Sequence, residues 1–103
     1  MKIEEYIGFG KVNAVTRRHL CIVTGTSDRD VRDEISNARG IRGAVILNDQ
    51  DGQGYYIPTI EEYQNAVKCL KSEEKRAKSV FWTLKALRRW VKEHENINQT
   101  VSR

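Results

Sequence analysis

The stretch "VTGTSDRDVRDEISNARG", Val23 to Gly40, decides how this chain is read, because it holds a helix stop and a helix start only a few residues apart. Gly25 supplies the left-handed residue that ends a helix. Ser27 then restarts the chain as an N-cap. Asp30, three residues on, completes a capping-box variant and puts its charge at the positive end of the new helix. Val31, Ile35 and Ala38 recur at i, i+4 and i+7, which predicts one buried face on a helix ending near Gly40. Arg29, Arg32, Asp33, Ser36 and Asn37 are then left outward or flanking.

Upstream, Thr16 caps a helix over "RRHLCIVT", and Val15 and Leu20 are spaced for a hydrophobic staple across its first turn. "IEEYIG" predicts a short first helix ending near Gly8, followed by a loop over "GFGKVNA". Downstream, the periodicity changes. "GAVILN" and "GYYIPT" are short runs rich in β-branched and aromatic residues joined by "DQDGQ", which predicts a two-stranded hairpin ending at Pro58. Thr59 and Glu62 form a capping box for a further helix.

No Gly or Pro stops that helix between Ile60 and Glu95. Unbroken, it would run ~54 Å at 1.5 Å per residue, against a radius of gyration of about 13 Å for a compact domain of this length. It is therefore expected to break or to leave the domain. Tyr63, Ala66, Leu70, Ala77, Val80, Leu84, Leu87 and Val91 alternate steps of three and four. Glu73 interrupts this heptad seam, and "KSEEK" is its weak point. The expected organisation is a domain over residues 1–71, a basic amphipathic helix over 72–95, and a frayed tail over 96–103.

Length and composition bound the answer. The chain has 103 residues, 39% apolar and 31% charged, enough for one domain with its own core. The start "MKIEEYIGFG" lacks the basic segment and apolar run of a signal peptide, and no stretch reaches the roughly 18 apolar residues of a spanning helix. A cytoplasmic protein with no membrane contact is expected. The net charge of +4 is unevenly placed: Met1–Pro58 carries eight basic and eight acidic residues, and Thr59–Arg103 ten and six. Between Lys75 and Lys92 there are seven basic residues and no acid, so a local positive field is expected there, suited to phosphate or to an acidic protein surface.

Helix, helix, turn, helix, hairpin, helix is the order of a winged helix-turn-helix domain. The expected fold is α+β, mainly helical, a winged helix-turn-helix with a two-stranded wing and a long C-terminal helix. The phrase "NAVTRRHLCIVTGTSDRDVRDEI" resembles the helix-turn-helix of small winged-helix proteins encoded by phages and prophages of Gram-positive bacteria. In these a "T…L…TG.S.R.VR..I" pattern precedes a hairpin of the "GYYIPT" kind and a basic C-terminal helix. The resemblance spans roughly Asn13 to Arg89. It implies sequence-specific binding of double-stranded DNA in phage regulation or replication, with Arg29 and Arg32 on the pattern's arginines, Ser27 on its cap, and Tyr55 and Tyr56 on the second wing strand. The chain departs from a strongly basic reader in carrying Asp28, Asp30, Asp33 and Glu34 on the same helix, and Asp49 and Asp51 at the wing tip.

In such a fold the second helix lies in the major groove, so Arg29, Arg32, Ser36 and Asn37 are the candidate base contacts. Arg suits guanine and Asn suits adenine. The competing reading is that Arg29 and Arg32 pair with Asp33 and that Ser36 is neutral surface. Lys11, Arg17, Arg18, Arg39 and Arg42 are candidates for phosphate, against the alternative of a solvated helix surface. Tyr55 and Tyr56 point to opposite faces of one strand, so one is expected in the core.

On the last helix, Ala77, Val80, Leu84, Leu87 and Val91 form the candidate face for homodimerisation or for a partner helix. Lys75, Lys78, Trp82, Lys85, Arg89 and Lys92 form a basic stripe opposite. That stripe is either the solvated back of a dimer or a binding face for flanking DNA or an acidic host protein, the latter making the chain a phage-derived interaction module. No enzyme is expected. "GFGK" lacks the spacing of a Walker motif, and Cys21 and Cys69 have no activating base beside them. His19 and His94 lack metal-ligand spacing, so neither metal nor cofactor is expected.

Overall fold

The computed structural model describes residues 1–95 and divides into two compact units, Met1–Cys69 and a second that begins at Leu70. The tail expected from residue 96 lies outside the described residues. Their elements are mainly helical, with one two-stranded antiparallel sheet and a long C-terminal helix.

The helix-stop-helix reading holds at its caps. Helix α1, Arg17–Thr24, starts at Thr16, whose hydroxyl accepts from the His19 N–H at 3.1 Å. It ends at Gly25, left-handed at φ 69°, with the Gly25 N–H donating to the Cys21 carbonyl. Helix α2, Asp28–Gly40, starts at Ser27, whose hydroxyl accepts from the Asp30 N–H, while the return bond from the Asp30 carboxylate that a capping box would add is not formed among the described residues. Each cap satisfies an N–H that the first turn cannot satisfy itself. Val31, Ile35 and Ala38 are buried, as their spacing predicts, and pack with Leu20 of α1.

Two local expectations are corrected. "IEEYIG" forms a 3-10 helix only over Ile3–Tyr6, and "GFGKVNA" is not all loop, since Lys11–Asn13 makes a second 3-10 turn. Ile3 and Ile7 nevertheless enter the core beside α2.

The hairpin pairs β1, Leu47–Asn48, with β2, Tyr55–Tyr56, in the register Leu47 to Tyr56 and Asn48 to Tyr55. Both strands are shorter than the apolar runs, and pairing on the far side of β2 explains how so small a ladder persists. Val15 and Tyr55 exchange two backbone hydrogen bonds, at 2.9 and 2.7 Å, and Phe9 bridges Ile57 in parallel sense. Gly54 makes the first contact possible. At φ 97° it brings its Cα so close to Val15 that a Cβ there would lie 2.1 Å from the Val15 carbonyl oxygen.

Of the tyrosine pair, Tyr56 is the core residue. Its hydroxyl donates to Asp49 and accepts from the Asn65 amide, and burial together with Asp49 pushes it up to about 12. The last helix opens with the expected capping box. A 3-10 turn, Ile60–Glu62, follows Thr59, whose N–H donates to Glu62 Oε1. Glu62 Oε2 accepts the Lys11 N–H at 2.8 Å, tying this start to the N-terminal turn. These backbone donors hold the carboxyl below its ordinary value.

Helix α3 runs unbroken from Tyr63 to Glu93, so of the two outcomes open to it the break at the weak point "KSEEK" is not the one taken. Glu, Lys, Arg and Ala are good helix formers, and an Arg76–Glu73 ion pair at i, i+3 spans the weak point. Every residue from Leu70 to Glu93 is exposed. Among the described residues no helix is long and apolar enough to cross a membrane.

Candidate functional site

In the first unit, α2 is held by its buried face. Val31, Ile35 and Ala38 point inward, so at 3.6 residues per turn Arg29, Asp33 and Ser36 lie on the opposite side, with Arg32 and Asn37 flanking. All four candidate base contacts, Arg29, Arg32, Ser36 and Asn37, are exposed. The ion pair with Asp33 that would have occupied Arg29 or Arg32 is not formed among the described residues. The cations that do pair with carboxylates there are Lys11, Arg17, Arg42 and Arg76.

The candidate phosphate contacts are placed differently, and four of the five are engaged within the unit. Lys11 reaches Asp49 and Asp51 at the hairpin tip, which holds its ammonium well above its usual range. Arg17 pairs with Asp28 across the turn between α1 and α2. Arg42 makes a bidentate pair with Glu4, both bonds 2.9 Å, and a third bond to Glu34 at 3.1 Å. That guanidinium pulls the Glu4 carboxyl down from 4.5 to about 2. Arg39 donates twice to the Ile46 carbonyl and lies over the Tyr55 ring, 5.8 Å from its centroid. Arg18 is exposed and belongs to none of these pairs.

The same pairs account for four of the acids that weigh against DNA on charge alone. Asp28 and Glu34 face guanidinium groups, and Asp49 and Asp51 share one ammonium. Asp30 and Asp33 stay exposed on α2. Two carboxylates on one lysine leave the hairpin tip with a residual negative charge, so an approach of the tip to phosphate is opposed.

In the second unit, the seam residues Ala77, Val80, Leu84, Leu87 and Val91 are all exposed, and so is the stripe of Lys75, Lys78, Trp82, Lys85, Arg89 and Lys92. Trp82 is 56% exposed, with the Lys85 ammonium 5.2 Å from its ring centroid and Phe81 edge-on at 6.2 Å. Trp90 stacks on His94 at 4.3 Å. Lys71 extends the basic stripe by one turn. Its spacing of four from Lys75 and seven from Lys78 was the signal for it, outside the acid-free run that framed the stripe.

Among the described residues no group of three or more His, Cys, Asp or Glu side chains stands close enough to hold a metal ion. No known protein family, curated protein or solved structure matches this chain.

Proposed function

We propose that this protein is a winged helix-turn-helix binder of double-stranded DNA that works as a dimer, with α2 in the major groove. The observation that carries the reading is the outward face of α2, where Arg29, Arg32, Ser36 and Asn37 are exposed and have no side-chain partner among the described residues, while Val31, Ile35 and Ala38 anchor the opposite face. The bridge of Val15 to the hairpin supports the winged topology, since it puts a strand segment before α1 beside the wing. In this reading Arg18 is the phosphate contact from α1. Lys11, Arg17, Arg39 and Arg42 hold the scaffold.

The test is fluorescence anisotropy on random duplex DNA across a salt series, followed by site selection. Binding weakens log-linearly with salt, because phosphate neutralisation releases counterions. On the selected site, Arg29→Ala with Arg32→Ala costs ~1 to 3 kcal/mol for each bidentate Arg–guanine pair removed. Absence of binding at low salt, or an unaffected double variant, overturns the assignment.

A second reading rests on Trp82, a large ring left in water on a basic stripe. There the helix is a docking face for an acidic protein. Absence of DNA binding at every salt concentration, combined with loss of a protein partner on Trp82→Ala, would favour it.

A further inference from the structure

The apolar seam of α3 carries its own instructions for pairing. Written as heptads from Leu70, the a positions are Leu70, Ala77, Leu84 and Val91, and the d positions are Glu73, Val80, Leu87 and His94. The b positions are Lys71, Lys78, Lys85 and Lys92, far from the seam, so pairing through a and d leaves the basic stripe in water. A shallow groove lined by Glu73, Arg76, Ala77, Val80, Phe81 and Leu84 runs along the first half of the seam.

The flanking e and g positions discriminate between the two orientations of a second copy. In a parallel pair, g meets the e′ five residues on. Those partners are Arg76 with Phe81, Thr83 with Arg88, and Trp90 with Glu95, so no unlike charges meet. The parallel pair also sets Glu73 against Glu73 in one d layer, a like-charge contact inside the seam.

The antiparallel pair reverses both results. Aligning residues whose numbers sum to 164 gives the full overlap from Leu70 to His94. It packs Leu84 on Val80 and the small Ala77 on the larger Leu87. Position e then faces e′, which sets Glu74 against Arg88 on both sides of the two-fold axis and Phe81 against its own copy. Position g faces g′, which brings Arg76 to the Trp90 ring. The two Glu73 carboxylates are separated by about 27 Å along the axis; each lies opposite Val91 near one end of the seam, where its own Arg76 pairs with it at 2.6 Å. Shifting the register by one heptad sets either Glu74 against Glu95 or Leu84 against Glu73.

We propose that two copies of this chain associate through residues 70–94, the seam of α3 with the His94 that follows it, as an antiparallel coiled coil centred near Trp82. The proposal rests on the dimer in the functional reading above and specifies its geometry. The two Leu70 positions then stand about 36 Å apart along the axis.

The experiment uses the full chain with Cys21→Ala and Cys69→Ala, spin-labelled at Ser72→Cys, at Lys92→Cys, or as a mixture of the two, with the mass in solution measured alongside. In the antiparallel pair, 72 and 92′ lie level, and 72 and 72′ are offset by about 30 Å. The mixture is therefore short and both single labels are long. The inverse pattern with a dimeric mass overturns the orientation and leaves the dimer standing. A monomeric mass at all concentrations overturns the dimer and the orientation together.

Charge reversal in the otherwise natural chain is the independent check. Glu74→Arg or Arg88→Glu alone raises the dimer dissociation constant roughly three- to tenfold, and the two together restore it to within about twofold. An unaltered constant in either single variant removes the proposed pairing.

Discussion

The residues up to Cys69 and those from Leu70 onward use similar side chains for opposite purposes. In the first, Leu20, Val31, Ile35 and Tyr56 are buried, and Lys11, Arg17 and Arg42 are paired with acids contributed from elsewhere in the unit. In the second, Leu84, Leu87 and Trp90 are each at least 41% exposed. Arg76–Glu73 is the ion pair found among its described residues. Apolar area removed from water stabilises a fold, whereas the same area left in water is available for association. The first unit buries a core of its own, whereas the described residues of the second bury none of their apolar side chains.

The largest effects separate the two regions directly. Leu20→Ala empties a fully buried site and is expected to cost about 2–5 kcal/mol, read as faster amide exchange throughout α1 and α2. Leu87→Ala removes as many atoms from the seam of α3. It is expected to shift those same amides by less than about 0.5 kcal/mol while lowering the mass in solution. Equal destabilisation of α1 and α2 by both variants would erase the distinction.

A smaller effect tests how the first unit closes on itself. Gly54→Ala puts a Cβ against the Val15 carbonyl at a backbone angle that only glycine adopts readily. Strain of about 1–3 kcal/mol is expected, with loss of protection at the Val15 and Tyr55 amides. An unchanged melting temperature would show that the Val15–Tyr55 bridge is dispensable.

The smallest effect is electrostatic. Glu4 has a folded value near 2 against an ordinary 4.5, so its contribution is fully present above 4.5 and disappears as pH falls toward 2. The melting temperature of the natural chain should fall across that window more steeply than that of Arg42→Gln. Parallel slopes would show the Arg42–Glu4 pair to be inert.

What was legible in the sequence was whatever depends on near neighbours. Thr16, Gly25, Ser27 and the Thr59–Glu62 box are caps, and a cap acts on backbone groups three or four residues away. The buried face of α2 follows from helical spacing for the same reason. Legibility ended where contacts join distant parts of the chain. Arg42 and Glu4 are 38 residues apart and Lys11 and Glu62 are 51 apart, so nothing local marks them as partners. Arg17, Arg39 and Arg42 read as spare cations for phosphate because their protein partners cannot be seen from spacing. The N-terminal 3-10 turns were hidden similarly, since Ile3 and Ile7 are ordered by the core they enter.

For this chain the sequence by itself determined where helices start and stop, which face of α2 is apolar, and that α3 carries a seam and a basic stripe. These are properties of dihedral preference and periodicity, settled over one or two turns. Only the tertiary structure decided which charges are consumed in holding the fold, that Gly54 admits Val15 to the hairpin, and that Arg29, Arg32, Ser36 and Asn37 stay without a side-chain partner among the described residues. Those outcomes depend on which groups long-range packing brings within hydrogen-bonding distance.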